Sequence, residues 1–199
     1  MPFYPGDPQP VIQPAAEYDS GGWRVTSLHI GTHTGTHIDA PSHFIKEGRA
    51  IDQLPLETFV LPGICVEALG LEPDQPIEEA LLADTLAAIP AGGAVLFHTG
   101  WDQFWGQERY FRHPYLAETA ARRLRAAGAR LVGIDALNVD STARGTTHAH
   151  EILLGSQVLI VENLRGLDQL AAGEAYMISV LPIRLVGLDG SPVRAIAWQ

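Results

Sequence analysis

The sequence predicts a mixed α+β (α/β) domain built on a largely mixed sheet. Three observations carry that expectation. Strand-like stretches dominate and are closed by Gly or Pro; a few Ala- and Leu-rich helical stretches lie between them; and no linker, repeat or low-complexity segment interrupts the 199 residues. Hydrophobic residues at 46% and charged residues at 18% suit one ordinary buried core, so residues 1–199 are expected to form a single domain.

The elements follow from local pattern. Residues 23–30 alternate Val25, Ser27 and His29 against Thr26, Leu28 and Ile30, which is strand periodicity. Further strands are expected over 59–69, 94–98, 130–135, 157–161, 176–181, 183–188 and 193–198, the last two joined in a hairpin by Asp189-Gly190-Ser191-Pro192. Pro76 stands where a first helical turn would begin, and Ile77, Ala80, Leu81, Asp84, Leu86 and Ala88 continue that pattern to Ile89. A second helix, 116–127, puts Leu116, Ala120 and Leu124 on one face and arginines opposite, with Gly128 as terminator. Short helices over 148–154 and 167–172 complete the reading.

Bulk properties remove several function classes. A net charge of −10 argues against a nucleic-acid surface, and Arg122, Arg123 and Arg125 read as a solvated helix face. The single Cys65 lies in an apolar run and is expected in the core. No apolar run approaches the roughly 18 residues of a membrane span, and Met1-Pro2-Phe3 opens no signal peptide, so a soluble cytoplasmic protein is expected.

Chemistry concentrates between residues 29 and 43, which hold four of the eight histidines. Gly31, Gly35 and Pro41 among repeated Thr argue against a helix, so His33-x-x-x-His37 is not a helical zinc motif. An extended segment would set His33, Gly35, His37 and Asp39 on one face, with Gly35 leaving room for an ion. A lone histidine of this kind is commonly just solvated. Three possible ligands on one face, followed by His43 beyond a proline bend, point instead to a metal site.

The run His33-Thr34-Gly35-Thr36-His37-Ile38-Asp39-Ala40-Pro41-Ser42-His43 matches His-x-Gly-Thr-His-x-Asp-x-Pro-x-His. Through it the chain resembles the cyclase family of metal-dependent hydrolases, which includes bacterial kynurenine formamidases (arylformamidases) and isatin hydrolases. Other segments are similar in the same order: Tyr4-Pro5-Gly6-Asp7-Pro8, Thr99-Gly100-Trp101-Asp102, Val132-Gly133-Ile134-Asp135, His150 with Glu162-Asn163-Leu164, and 188–194. The resemblance implies a swivelling β/β/α fold, a barrel-like mixed sheet flanked by helices. It implies His33, His37 and Asp39 as metal ligands, with Asp39 able to bridge two ions. His150 and Glu162 would complete the centre, and His43 would donate and accept the proton. His148 competes with His150, whose following residues fit better. Glu162 ends the apolar run 158–161, where a solvated strand end is the plainer alternative, and His43 has a fourth ligand as its alternative.

Kynurenine formamidases usually carry Trp at the position of Tyr4, in contact with substrate, and often Ala at that of Thr36. Tyr4 is therefore the implied substrate-binding residue, with the substrate shifted from N-formylkynurenine or broadened. Members commonly have a further strand before this segment, so the chain begins late. They are commonly oligomers with N-terminal segments near a neighbour's active site, which implies a homodimer or homotetramer with Tyr4 close to a metal site, its own or the partner's.

Three imidazoles and two carboxylates without a thiolate suit zinc or manganese better than copper or an iron–sulfur cluster; zinc is expected, as one or two ions, with manganese as the alternative. Such an ion lowers the pKa of water toward about 7 and polarises a carbonyl. His43, with an ordinary pKa of about 6.5, would protonate the leaving nitrogen. The resemblance thus implies an amide hydrolase of arylformamidase type acting on a small-molecule amide, with no nucleic acid or membrane as partner. The competing readings are a cyclic amide or lactone hydrolase like the isatin hydrolases, and a metal-binding protein without catalysis. Retention of His43 speaks against the latter. His29 reads as structural or as a support for a ligand, and His98 and His113 carry no assigned chemistry. Trp101, Phe104 and Trp105 are aromatics that could wall an arylamide pocket, although core packing explains each singly.

Overall fold

The computed structural model describes every residue except Asp84, Leu86 and Ala87. In chain order, β1 (Val11–Ala16), the one-turn helix α1 (Tyr18–Gly21) and β2 (Val25–His29) form a hairpin arm. Then come β3 (His37–Asp39), β4 (Val60–Glu67), β5 (Pro76–Ile77), β6 (Ala94–His98) and β7 (Tyr115–Leu116). Helix α2 (Glu118–Ala126), β8 (Leu131–Ile134), α3 (His148–Leu154), β9 (Leu159–Glu162), β10 (Ala175–Ser179), β11 (Gly190–Pro192) and β12 (Ile196–Trp198) complete the chain.

Eight strands form one mixed sheet in the order β11-β3-β9-β8-β6-β4-β10-β12, curled into a half-barrel. The central β4, β6, β8 and β9 run parallel, and the strands outside them pair antiparallel. Strands covered on both faces read as continuous apolar runs, and β8 (LVGI) and β9 (LIVE) do. Strand alternation then divides the core in two. Val95, Phe97, Val132, Ile134 and Ile160 pack toward Leu124 of α2 and Leu153 and Leu154 of α3. Leu96, Leu131, Leu159 and Val161 pack on the opposite face with Ile38, Phe59 and Ile178. Each such side chain contributes about 1.5–3 kcal/mol relative to exposure. Helix α2 buries Ala120, Ala121 and Leu124 and leaves its arginines in solvent, and Cys65 is buried in the second cluster.

Several sequence expectations need correction. The segment 33–39 is not one extended strand: residues 32–36 turn, with Gly35 at φ +70°, and only His37–Asp39 pair. The helix expected over 76–89 is absent at its start, because Pro76 and Ile77 pair in parallel with Tyr115 and Leu116; Glu79–Leu82 makes only a 3-10 turn. Asp84, Leu86 and Ala87 of that expectation lie outside the described residues. Leu116 consequently belongs to β7, and α2 starts at Glu118. The helix expected over 167–172 is a 3-10 turn, Leu167–Gln169.

The closing hairpin is also rearranged. Residues 183–188 form no strand, while Gly190–Pro192, expected as a turn, is the edge strand β11 beside β3. An edge position suits Pro192, which has no N–H to give a further neighbour. Gly190 is required there: a Cβ would sit 2.8 Å from both the His33 ring and the Ile38 carbonyl. The last strand is shortened to Ile196–Trp198 and pairs with β10. Strand β1 has no counterpart among the expected strands; Pro14 pairs with Thr26 within it, and its register shifts between Pro14 and Ala16. Among the described residues no helix is long and apolar enough to cross a membrane.

Candidate metal centre

β3 and β9 carry the centre. Their antiparallel register sets His37 opposite Glu162 and Asp39 opposite Ile160, so the polar side chains share the face toward α3. Ile38 and Val161 fill the core behind them. His37 Nε2 lies 3.3 Å from Asp39 Oδ1 and 3.5 Å from Glu162 Oε2. Helix α3 delivers His150, whose Nε2 is 3.6 Å from Asp39 Oδ2 and 3.5 Å from Glu162 Oε1. His33 arrives from the turn before β3, with Nδ1 2.7 Å from Asp39 Oδ1. The structure therefore brings His33, His37, Asp39, His150 and Glu162 together across more than a hundred residues of chain.

Each imidazole has its outer nitrogen committed. His37 Nδ1 donates to the Gly35 carbonyl at 2.8 Å, His150 Nδ1 to Asp140 at 2.8 Å, and His33 Nε2 to Asp189 at 3.0 Å. Such partners fix the tautomer and turn the other nitrogen's lone pair inward, toward a cation. Asp140 also accepts from the backbone N–H groups of Ala149 and His150, so one carboxylate anchors the start of α3 and aims its histidine. Neither Asp140 nor Asp189 was singled out from sequence. Asp140 stands in no motif, and Asp189 opens the turn-forming run Asp189-Gly190-Ser191-Pro192.

The charges are unbalanced without a cation. Asp39 is fully buried, and its Oδ2 has no hydrogen-bond donor among the described residues. Burial and the Asp39 charge push the Glu162 carboxyl up to about 7. Burial would lower His33 and His150, but hydrogen bonds from His33 to Asp189 and Asp39, and from His150 to Asp140 with the Asp39 and Glu162 carboxylates nearby, push both up to about 10. Protons on the imidazoles thus stand where a cation would. The groups His33–His37–Asp39 and Asp39–His150–Glu162 each hold ligand atoms within 4.8 Å of one another and share Asp39. A buried carboxylate oxygen without a donor, ringed by three oriented imidazoles, fits a divalent cation.

His43 is placed differently. It ends the 3-10 turn Pro41–His43, with its ring 4.0 Å from that of His33 and 5.7 Å from that of His150. Its Nδ1 lies 3.5 Å from Asp189 Oδ2, and it groups with His33 and Asp189 rather than with Glu162. Burial, opposed by Asp39 and reinforced by the charges of His33 and His150, lowers it to about 4, so its ring is neutral at pH 7. His148 points elsewhere, its Nε2 hydrogen-bonded to the Leu116 carbonyl at 2.8 Å.

The centre opens into a cavity of about 190 Å³ lined by Tyr4, His43, Phe44, Glu162 and Asn163. Tyr4 lines the cavity of its own chain, and Phe44 stacks on His150 at 4.6 Å. Trp101, Phe104 and Trp105 pack against the core instead. His29 is exposed on β2, paired with Val11, and is not part of the cavity lining.

Fold and site together have known counterparts. The Cyclase family profile matches residues 1–141. The kynurenine formamidase of Geobacillus thermodenitrificans (strain NG80-2) is 34% identical over 200 residues, covering 98% of this chain and 90% of that protein. An isatin hydrolase solved with the product analogue thioisatinate superposes with a TM-score of 0.87 at 25% identity, covering 96% of this chain and 81% of the other. A structure described as a "potential metal-dependent hydrolase with cyclase activity" gives 0.80 at 31% identity, covering 98% and 90%. These similarities define a hydrolase with a mixed half-barrel sheet. The chain belongs to the Cyclase family.

Proposed function

We propose that this protein is a metal-dependent amide hydrolase of arylformamidase type, cleaving the C–N bond of a small aryl formamide or related amide with water. The observation that carries the reading is the buried, undonated Asp39 Oδ2 among three imidazoles whose outer nitrogens are already committed. His33, His37, Asp39, His150 and Glu162 would hold the ion, zinc or manganese rather than copper or an iron–sulfur cluster, because the donor set is nitrogen and oxygen without thiolate. A bound divalent cation supplies Lewis acidity, lowering the pKa of water and polarising a carbonyl.

The remaining work falls to the chain. His43, neutral at pH 7, takes a proton from the attacking water and returns it to the departing nitrogen, which cannot leave as an amide anion. Asp189, near both His33 and His43, holds the two rings in relation to each other. Phe44, stacked on His150, keeps the ring in place and narrows water's access. Tyr4 offers an aromatic wall with a hydroxyl, which favours substrates beyond N-formylkynurenine alone.

The second reading, hydrolysis of a cyclic amide as in the isatin hydrolases, is favoured by the 0.87 superposition on one of them. Turnover of formanilide, N-formylkynurenine and isatin by chelator-stripped protein restored with zinc or manganese separates the two. Metal-dependent hydrolysis of the open formamides supports the first, and selective opening of isatin supports the second. No turnover at full metal occupancy would overturn both in favour of a metal-binding protein.

The same proposal includes a homodimer or homotetramer. The arm exposes Val11, Ile12, Trp23, Val25 and Leu28, and an isolated two-stranded hairpin is marginal in water. A second copy covering it supplies the missing apolar contacts. Sizing in solution tests this, and a monomer would remove it.

A further inference from the structure

Asn163 directly follows Glu162 and lines the same cavity, yet nothing in the chemistry above uses it. Its backbone sits at φ +56°, in the left-handed region that asparagine tolerates better than most residues. Three of its four polar groups are engaged. Its N–H donates to the Ala136 carbonyl at 2.9 Å, and its carbonyl accepts from the Thr36 hydroxyl at 2.7 Å. Its side-chain Oδ1 accepts from the Tyr110 hydroxyl at 2.8 Å. Tyr110 is itself fully buried, so this bond satisfies a hydroxyl that no water reaches. What remains is the Nδ2 group, with no protein acceptor among the described residues, on a side chain that is only 3% exposed.

We propose that Asn163 Nδ2 donates a hydrogen bond to the acyl oxygen of the bound amide, and that Tyr110 is the positioning residue that turns the amide group to do so. This rests on the hydrolase reading and deepens it by naming a specificity residue. A neutral donor fixed before substrate arrives strengthens its bond as that oxygen gains negative charge, without reorganising. The left-handed backbone conformation is consistent with a site that holds one side chain in one direction. The ligand chemistry follows: the pocket takes a molecule with a carbonyl or carboxylate oxygen beside the metal centre.

Asn163→Gly is the primary test, because glycine adopts φ +56° freely; it also leaves the buried Tyr110 hydroxyl without its acceptor, so urea unfolding accompanies it to separate lost stability from lost turnover. Zinc content should stay at the wild-type level while kcat/KM for formanilide falls by about 10²-fold. Binding of 2-aminobenzoate to the zinc-loaded protein, measured by calorimetry, should weaken by about tenfold, the effect of one lost hydrogen bond to a charged acceptor. Asn163→Asp tolerates the same backbone and keeps an acceptor for Tyr110 but replaces the donor with an anion, so its losses should be at least as large. Tyr110→Phe should lower kcat more than it raises KM at unchanged zinc content. Turnover within threefold of wild type in both Asn163 variants, with unchanged 2-aminobenzoate affinity, would overturn the assignment. If wild type hydrolyses no amide, the hydrolase reading fails by itself, and the ratio of 2-aminobenzoate affinities still decides the role of Asn163.

Discussion

Asp39, at the end of β3, and Asp135, just after β8, are both fully buried aspartates, and their surroundings could hardly differ more. Asp135 follows β8 and accepts from the Thr99 and Gly100 backbone N–H groups and the Thr99 hydroxyl. Its donors are fixed and neutral, and together they tie the end of β8 to the turn after β6. Burial pushes its carboxyl up to about 6 against those bonds. Asp39 meets only titratable side chains: His33 and His37 lie within 3.3 Å of one oxygen, and the other has no donor. Burial would raise its pKa as well, but the His37 charge, the nearby His150 ring and the hydrogen bond from His33 hold it well below the usual carboxylate range. Burial alone therefore does not mark a functional carboxylate. A buried carboxylate surrounded by backbone N–H groups is structural, whereas one left incomplete among oriented imidazoles is a site.

The largest test of this contrast is Asp39→Asn. It should abolish metal loading and reduce turnover by at least about 10³-fold, several kcal/mol of lost transition-state stabilisation. Metal analysis of the purified variant decides it: a full complement of zinc with normal turnover would make Asp39 a structural residue like Asp135. Next in size is His43→Ala, which should keep its metal and lose about 10²–10⁴-fold in kcat, the usual worth of a general acid–base. Equal metal loss in His43→Ala and His37→Ala would make His43 a ligand. Asp135→Asn acts on stability instead. One amide N–H₂ would face backbone donors, costing about 1–3 kcal/mol by urea unfolding. The folded fraction should still bind zinc and turn over normally. Zinc loss matching that of Asp39→Asn would erase the distinction.

The sequence carries the two halves of this contrast unequally. The parallel core was legible because β4, β6, β8 and β9 are predominantly apolar stretches, and their boundaries fall within a few residues of expectation. The elements that failed are those whose pairing is decided at long range. Pro76 and Ile77 joined Tyr115 and Leu116, and Gly190–Pro192 joined β3, choices that no local pattern encodes. At the centre, residue types and the family resemblance brought the five candidate ligands into view. Strand parity explains only His37 and Asp39; His33 reaches Asp39 because Gly35 turns the chain. Asp140 and Asp189 escaped because a supporting contact depends on which atom a side chain faces, and spacing in sequence does not carry that.

The smallest prediction extends the contrast to a buried histidine outside the site. His113 is only 1% exposed, and its ring is satisfied while neutral: Nδ1–H donates to the Pro114 carbonyl at 2.9 Å, and Nε2 accepts from the Thr142 hydroxyl at 2.8 Å. Burial lowers it from 6.5 to about 4, against the Pro114 bond. The unfolded chain therefore takes up a proton on this residue between about pH 6.5 and 4 while the folded protein does not. Stability from His113 is fully present above that window and is lost as pH falls through it, by at most about 3 kcal/mol. Asp135 works with the opposite sign, since its folded pKa of about 6 lies above the ordinary 3.8 and the folded state binds the extra proton there. The two partly cancel in the parent, so the decisive quantity is a difference. Urea unfolding of metal-free parent and His113→Gln at pH 7, 5.5 and 4.5 should show the parent's advantage shrinking as pH falls. An advantage that stays constant across the three pH values would mean that His113 takes up its proton equally in the folded and unfolded chain, so that burial does not hold it neutral.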